Sequence, residues 1–343
     1  MTFLGCPQLF RQSVLAQIVR LGTFALAFGL IACTASSPEV EPTVGTSSDT
    51  SAATPAETPT ETKRIDVVTT FLPITLFTEA VAGECASVTA LIPANLGPHD
   101  FQATPNAVTA LANASVLVKN GLEMEEFLDK LVVSAANPDL TVIDSSRGVA
   151  TIDSSSDDHH GHHDHGHGHG EVNPHIWLDP LRAVQQVETI RDGLVKADPS
   201  CAEGYTRNAE IYTDQLKELN TEISKKLKPY QGKTFIAFHD FAPYFAQRYG
   251  LKADFLVDLP EMNPSPADLQ RVASEVRATQ LKALLSEPQE GNRSFNALAK
   301  DLGVKVVEFN PLETGSAESA RNPETYLSVM RSNVLNLLQA IRD

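Results

Sequence analysis

Positive charge is scarce in this 343-residue chain: 27 Lys and Arg face 43 Asp and Glu, for a formal net charge of −16. The deficit deepens once residues 1–32 are set aside, because they hold Arg11 and Arg20 and no acid. A molecule of that sign repels a phosphate backbone, which excludes nucleic acid as a partner. The N-terminus also lacks the apolar length to cross a bilayer. Its run from Leu21 to Ile31 is short of the roughly 20 residues a spanning helix needs, and with Arg11 and Arg20 before it reads as a cleavable export signal. Cysteine is sparse too, at four residues, and Cys6 leaves with the signal. No His-Glu-x-x-His stretch is present, so the helical zinc-protease signature is missing and no residue stands out as a general base.

What is present begins at the signal's end. Leu30-Ile31-Ala32-Cys33 resembles a bacterial lipobox, in which the cysteine becomes the acylated first residue; the alternative is an ordinary signal peptide with an incidental cysteine. Residues 34–63 are rich in Ser, Thr, Pro, Ala and Glu and cannot bury enough surface to order themselves, so 33–63 is expected to be a disordered tether. That leaves Cys85 and Cys201 in an oxidising compartment, where a bridge and two buried thiols are both open.

The remaining length suits two domains of about 100–200 residues, and 42% hydrophobic content is enough for ordinary cores. Short β-rich runs at Ile65–Phe71, Val88–Ile92, Val116–Val118 and Thr141–Ile143 alternate with helical patterns. One helix is announced by Thr104-Pro105 and another by Asp179-Pro180, each an N-cap followed by a proline preset for the first turn. Ser200-Cys201-Ala202-Glu203 reads as a capping box opening a long amphipathic helix to Pro229, with Tyr205, Ala209, Tyr212, Leu216, Leu219, Ile223 and Leu227 on one face. Strands at Thr234–Phe238, Ala253–Val257, Leu281–Leu285 and Val304–Phe309 then restart the alternation, with helices at Ser265-Pro266 and near Pro323. The fold class expected is α/β: a lobe over 64–199, a linking helix over 200–229 and a second lobe over 230–343.

Seven of the ten histidines crowd into the segment 157–170, at His159, His160, His162, His163, His165, His167 and His169. Clustered imidazoles with interspersed Asp are adaptable ligands for zinc, nickel or copper; the alternative is a tolerated low-complexity insertion. The other three stand apart: His99 in Gly97-Pro98-His99-Asp100, His175 in Asn173-Pro174-His175, and His239 in Phe238-His239-Asp240. His99 and His239 are expected directly after strands. Loops leaving the carboxyl ends of strands in two facing α/β domains converge on one cleft, so the three can share a metal. Glu313, after the Val304–Phe309 run, is a candidate fourth ligand, with water as the substitute. Asp179 suits an N-cap better than a ligand. Asp100 and Asp240 read either as groups that orient the imidazoles or as solvated loop acids.

Taken in order, Leu91-Ile92-Pro93, Gly97-Pro98-His99-Asp100, Asn173-Pro174-His175-Ile176-Trp177-Leu178-Asp179-Pro180, Phe238-His239-Asp240, Asn263-Pro264-Ser265-Pro266 and Ser286-Glu287-Pro288-Gln289 resemble the zinc-binding branch of the metal-receptor family of substrate-binding proteins serving bacterial ABC importers. The resemblance covers roughly residues 64–343. It implies two α/β lobes joined by a rigid backbone helix, metal held between them, and a histidine-rich loop near the mouth. Family members selecting manganese place a carboxylate where His239 stands, so the softer imidazole implies zinc. The family commonly carries Asp where this chain has Glu313. The expectation is an extracytoplasmic Zn2+ receptor that docks on an importer permease, works as a monomer, is anchored by lipid at Cys33 in the periplasm or on the cell surface, and catalyses nothing. The rivals are a zinc hydrolase and a surface metal buffer or adhesin relying on the histidine tract.

Overall fold

The computed structural model describes residues 64–154, 171–288 and 293–342. Cys33, the tether and the seven tract histidines lie outside them. In the first lobe, β1 (Ile65–Thr69), β2 (Ala86–Ala90), β3 (Val116–Lys119) and β4 (Thr141–Asp144) form a parallel sheet in the order β2-β1-β3-β4. Helices α1 (Leu72–Ala82), α2 (Pro105–Asn113) and α3 (Leu128–Ala135) supply the crossovers. Val67, Val68 and Thr69 in β1 are buried on both faces, as are Val116, Leu117 and Val118 in β3, because helices cover a parallel sheet on either side. Two helices follow, α4 (Pro180–Ala197) and α5 (Ala202–Leu227). The second lobe repeats the plan: β5 (Thr234–His239), β6 (Lys252–Val257), β7 (Ala283–Ser286) and β8 (Lys305–Glu308), all parallel, in the order β6-β5-β7-β8. Its helices are α6 (Pro243–Tyr249), α7 (Pro266–Thr279), α8 (Arg293–Leu302) and α9 (Glu324–Ile341). Each sheet has its switch point between its two central strands, β1 and β3 in one and β5 and β7 in the other, where ligands bind in such folds.

The expected helix starts hold where a short polar side chain precedes proline. Thr104 accepts from the Ala107 amide at 3.2 Å and Asp179 from that of Leu181 at 3.0 Å. The Ser200 capping box does not form. Asp198 accepts from the Ser200 amide at 3.2 Å and also engages its hydroxyl, winding Pro199–Cys201 into a 3₁₀ turn, so α5 begins at Ala202 without a side-chain cap. Its 26 residues span about 39 Å. All seven apolar positions expected on its inner face are buried, and the helix packs against α1, α4 and α9. Cys85 and Cys201 are bonded, which ties the turn before β2 to the start of α5 across 116 residues of sequence. Closing a loop of that length removes unfolded-state entropy equivalent to about 5 kcal/mol. Gly204 makes room for the bridge, since a Cβ there would lie 2.5 Å from Cys85 Sγ. Among the described residues no helix is long and apolar enough to cross a membrane.

Candidate metal centre

His239 is the last residue of β5, at the switch point of the second sheet, and is fully buried. His175 reaches the same place from the turn before α4, also fully buried. His99 does not follow its strand directly: β2 ends at Ala90, and the histidine sits nine residues on, in the turn leading to α2. The chain first continues alongside β1, where the Leu91 and Ile92 amides bond to the Thr69 and Thr70 carbonyls. Glu313 follows β8 by a tight turn through Leu312, whose φ of 67° is in the left-handed region. Hydrogen bonds hold that turn: the Leu312 amide donates to Asn310 Oδ1 at 2.7 Å, Asn333 brackets Asn310 on both backbone groups, and Trp177 Nε1 donates to the Pro311 carbonyl at 2.8 Å.

One carboxylate oxygen faces all three rings. Glu313 Oε1 lies 3.0 Å from His175 Nε2, 3.4 Å from His239 Nε2 and 3.8 Å from His99 Nε2, and the two buried imidazoles are 3.3 Å apart at Nε2. The four donor atoms all fall within 4.8 Å of one another. A tetrahedral zinc site with bonds of about 2.0–2.1 Å has edges of about 3.4 Å, so most of these separations already suit it.

The rings are aimed by partners on their other side. His175 Nδ1 lies 3.0 Å from Asn173 Oδ1, and Asn173 Nδ2 donates to the Asp240 carbonyl at 2.7 Å and to its carboxylate at 3.2 Å. His239 Nδ1 lies 2.5 Å from Glu287 Oε1. Such contacts fix the tautomer that turns Nε2 towards the centre. Asp240 thus takes part at one remove, whereas Asp100 is exposed and outside the donor set. Asp179 is no ligand. It caps α4 and is buried between Arg182 at 2.6 Å and Arg248 at 2.7 Å, which locks the residues after His175 to α6. Sequence reasoning missed Asn173 and Glu287. The signal for Glu287 was its place directly after β7, beside β5 at the switch point.

Burial and charge set the protonation of the cluster. Burial pulls His175 down to about 4, against the opposing pull of Glu313. Burial would lower His239 as well, but Glu287 and Glu313 overcome it and push the ring up to about 10. Burial alone would raise Glu313; the charges of His239 and His99, with hydrogen bonds from His175 and His239, hold it well below the usual carboxylate range. These shifts favour a proton on His239, between its two carboxylates.

The flanks of the histidine tract end close by. Asp153 and Val172 pair as an antiparallel bridge, and the Asn173 amide donates to the Ile152 carbonyl at 3.0 Å. Tyr244 on α6 joins this base to the centre, donating to the Asn173 carbonyl at 2.6 Å and accepting from the Ile152 amide at 3.0 Å.

Comparison with known proteins gives consistent matches. The family model described as zinc-uptake complex component A, periplasmic, matches residues 67–340. The zinc-binding lipoprotein AdcA of Streptococcus pneumoniae is 33% identical over 278 residues, 80% of this chain and 56% of that protein, so the chain spans little more than half of that relative. The high-affinity zinc uptake system protein ZnuA of Bacillus subtilis is 30% identical over 282 residues, 82% of this chain and 87% of that protein. Among solved structures, the Zn(II)-bound ZnuA-like domain of S. pneumoniae AdcA superposes with a TM-score of 0.68 at 30% identity, covering 82% of this chain and all of that one.

Proposed function

Because the chain belongs to the family of periplasmic zinc-uptake complex components, we propose that it is an extracytoplasmic receptor that captures Zn2+ between its lobes and passes it to the membrane permease of an ABC importer. The observation that carries this reading is the convergence of His99, His175 and Glu313, from three separate turns, and His239, from the end of β5, onto one point. Three imidazole nitrogens and one carboxylate oxygen are a donor set zinc favours, and Glu313 takes the fourth position in preference to water because its Oε1 already faces all three rings. The names of the relatives, a zinc-binding lipoprotein and a zinc uptake protein, support zinc as the cargo.

A donor set closed by four protein groups speaks against a hydrolase, since catalytic zinc keeps a position open for water. Zinc here is cargo, and the protein's work is to remove its hydration shell and replace it with fixed donors. The tract at 157–170 acts as an auxiliary zinc collector, and Cys33 carries the lipid that keeps the receptor near its permease. The tether is 33–63, the lobes are 64–199 and 230–343, and 200–229 links them. Membrane fractionation of Cys33→Ala tests the anchor: the variant should leave the membrane, and continued association would contradict the assignment.

The cleft is tested by zinc titration of three proteins. The full chain should show one tight site and several weaker ones. Deletion of 157–170 should remove only the weaker class, because the cleft is held by folded lobes and takes no ligand from the tract. His175→Ala should remove only the tight class. Loss of all zinc on deleting the loop would overturn the cleft and leave a surface buffer.

A further inference from the structure

Two carboxylates are buried against the imidazole cluster, on opposite sides of His239. Glu313 faces Nε2 at 3.4 Å, where the cation would be bound. Glu287, 3% exposed, faces Nδ1 at 2.5 Å and also accepts from the His239 amide at 3.3 Å. It cannot ligate the same cation, because the ring stands between them. Its position permits two separable effects. As an acceptor it holds the tautomer and angle of the ring. As a fixed negative charge it adds to the potential at the cation, and potentials superpose whatever else surrounds the group.

We propose that Glu287 is a specificity-determining residue of the cleft, whose charge, acting across the His239 ring, raises the preference for a divalent over a monovalent cation. The inference rests on the cleft being the metal site. The argument is one of scaling. The interaction of a fixed charge with a cation is proportional to the cation's charge, so losing that charge costs a divalent ion twice the logarithm of affinity that it costs a monovalent one. Orientation of the ring has no such dependence. A misaimed ring weakens the bond that either ion makes to Nε2, and that loss carries no factor of the ion's charge. Charge at Glu287 therefore contributes to discrimination, while hydrogen bonding there contributes only to affinity.

Glu287→Gln separates the two, because the amide oxygen still accepts from Nδ1 while the charge is gone. The test measures Zn2+ and Ag+ affinities by competition with chromophoric chelators over a range of pH, and compares them after correction for the proton each ion displaces from His239. It uses the full chain with the seven tract histidines changed His→Asn, so that the cleft alone is read. Zinc affinity should fall by about 10–100-fold, the range for groups supporting a metal ligand, and silver affinity by only the square root of that factor, about 3–10-fold. Glu287→Asp, which keeps the charge on a shorter arm, should lower the Zn2+/Ag+ ratio far less than Glu287→Gln does. Equal losses for the two ions in Glu287→Gln, or a ratio in Glu287→Asp that falls as it does in Glu287→Gln, would overturn the proposal. His175→Ala in the same background distinguishes the underlying reading: zinc bound there at parental affinity would remove the cleft itself, a result unlike equal losses at Glu287.

Discussion

Zinc capture at neutral pH should expel a proton from the cleft, and His239 is its source. In the metal-free protein Glu287 at 2.5 Å and Glu313 at 3.4 Å raise this ring to about 10 despite its burial. The ring is therefore protonated at neutral pH, whereas zinc requires a neutral nitrogen. His175, lowered to about 4 by burial, is already neutral and gives up nothing. Between about pH 7.5 and 9 the apparent affinity should rise tenfold per pH unit, equivalent to about 1.4 kcal/mol, because one proton is exchanged for one metal. Calorimetric titration in buffers of differing ionisation heat reads that proton directly: the apparent enthalpy should change with the buffer's heat in a ratio of one proton per zinc. Affinity flat over this range, with no buffer dependence, would mean that His239 behaves as an ordinary imidazole and that the two carboxylates do not act on it. The same shifts set the stability of the metal-free protein. The raised His239 stabilises the fold below its unfolded value of about 6.5 and loses that contribution as pH rises through its folded value. The depressed Glu313 contributes above about pH 4.3 and loses its share as pH falls.

Asp179→Ala should destabilise the protein by about 3–5 kcal/mol in urea denaturation, since it strands Arg182 and Arg248 and uncaps α4; a loss below about 1 kcal/mol would show the ion cluster to be dispensable. His239→Glu should move preference from zinc towards manganese, as an oxygen donor replaces nitrogen at one position; competition between equimolar metals that still leaves zinc preferred as in the parent would place selectivity elsewhere.

Much of the fold was legible because its signals are local. The apolar runs became strands within a residue or two, and for the central strands β1, β3, β5 and β7 the reason is that a parallel strand buried on both faces must be nearly continuously hydrophobic. Thr104-Pro105 and Asp179-Pro180 opened helices because cap and proline act within one turn. Ser200 failed because Asp198 competed for its amide and hydroxyl, a rivalry the four-residue capping pattern does not include. The three isolated histidines and Glu313 were legible as a set through the rule that loops at strand ends converge. Their supporting partners were not: Asn173 and Glu287 acquire a role only once β5, β7 and the turn before α4 are brought together. The Cys85–Cys201 pairing was left open for the same reason, because it depends on where α5 starts relative to the turn before β2.

The central claim is that four side chains from two lobes hold one zinc ion. X-ray absorption at the zinc edge, on the full chain with its tract histidines changed to asparagine and one equivalent of zinc added, observes that shell directly. The account predicts three imidazole nitrogens and one oxygen at about 2.0–2.2 Å, with one imidazole lost in His99→Ala and the oxygen contribution altered in Glu313→Ala. A shell with fewer than three imidazoles in the parent, or one unchanged by His99→Ala, would contradict it.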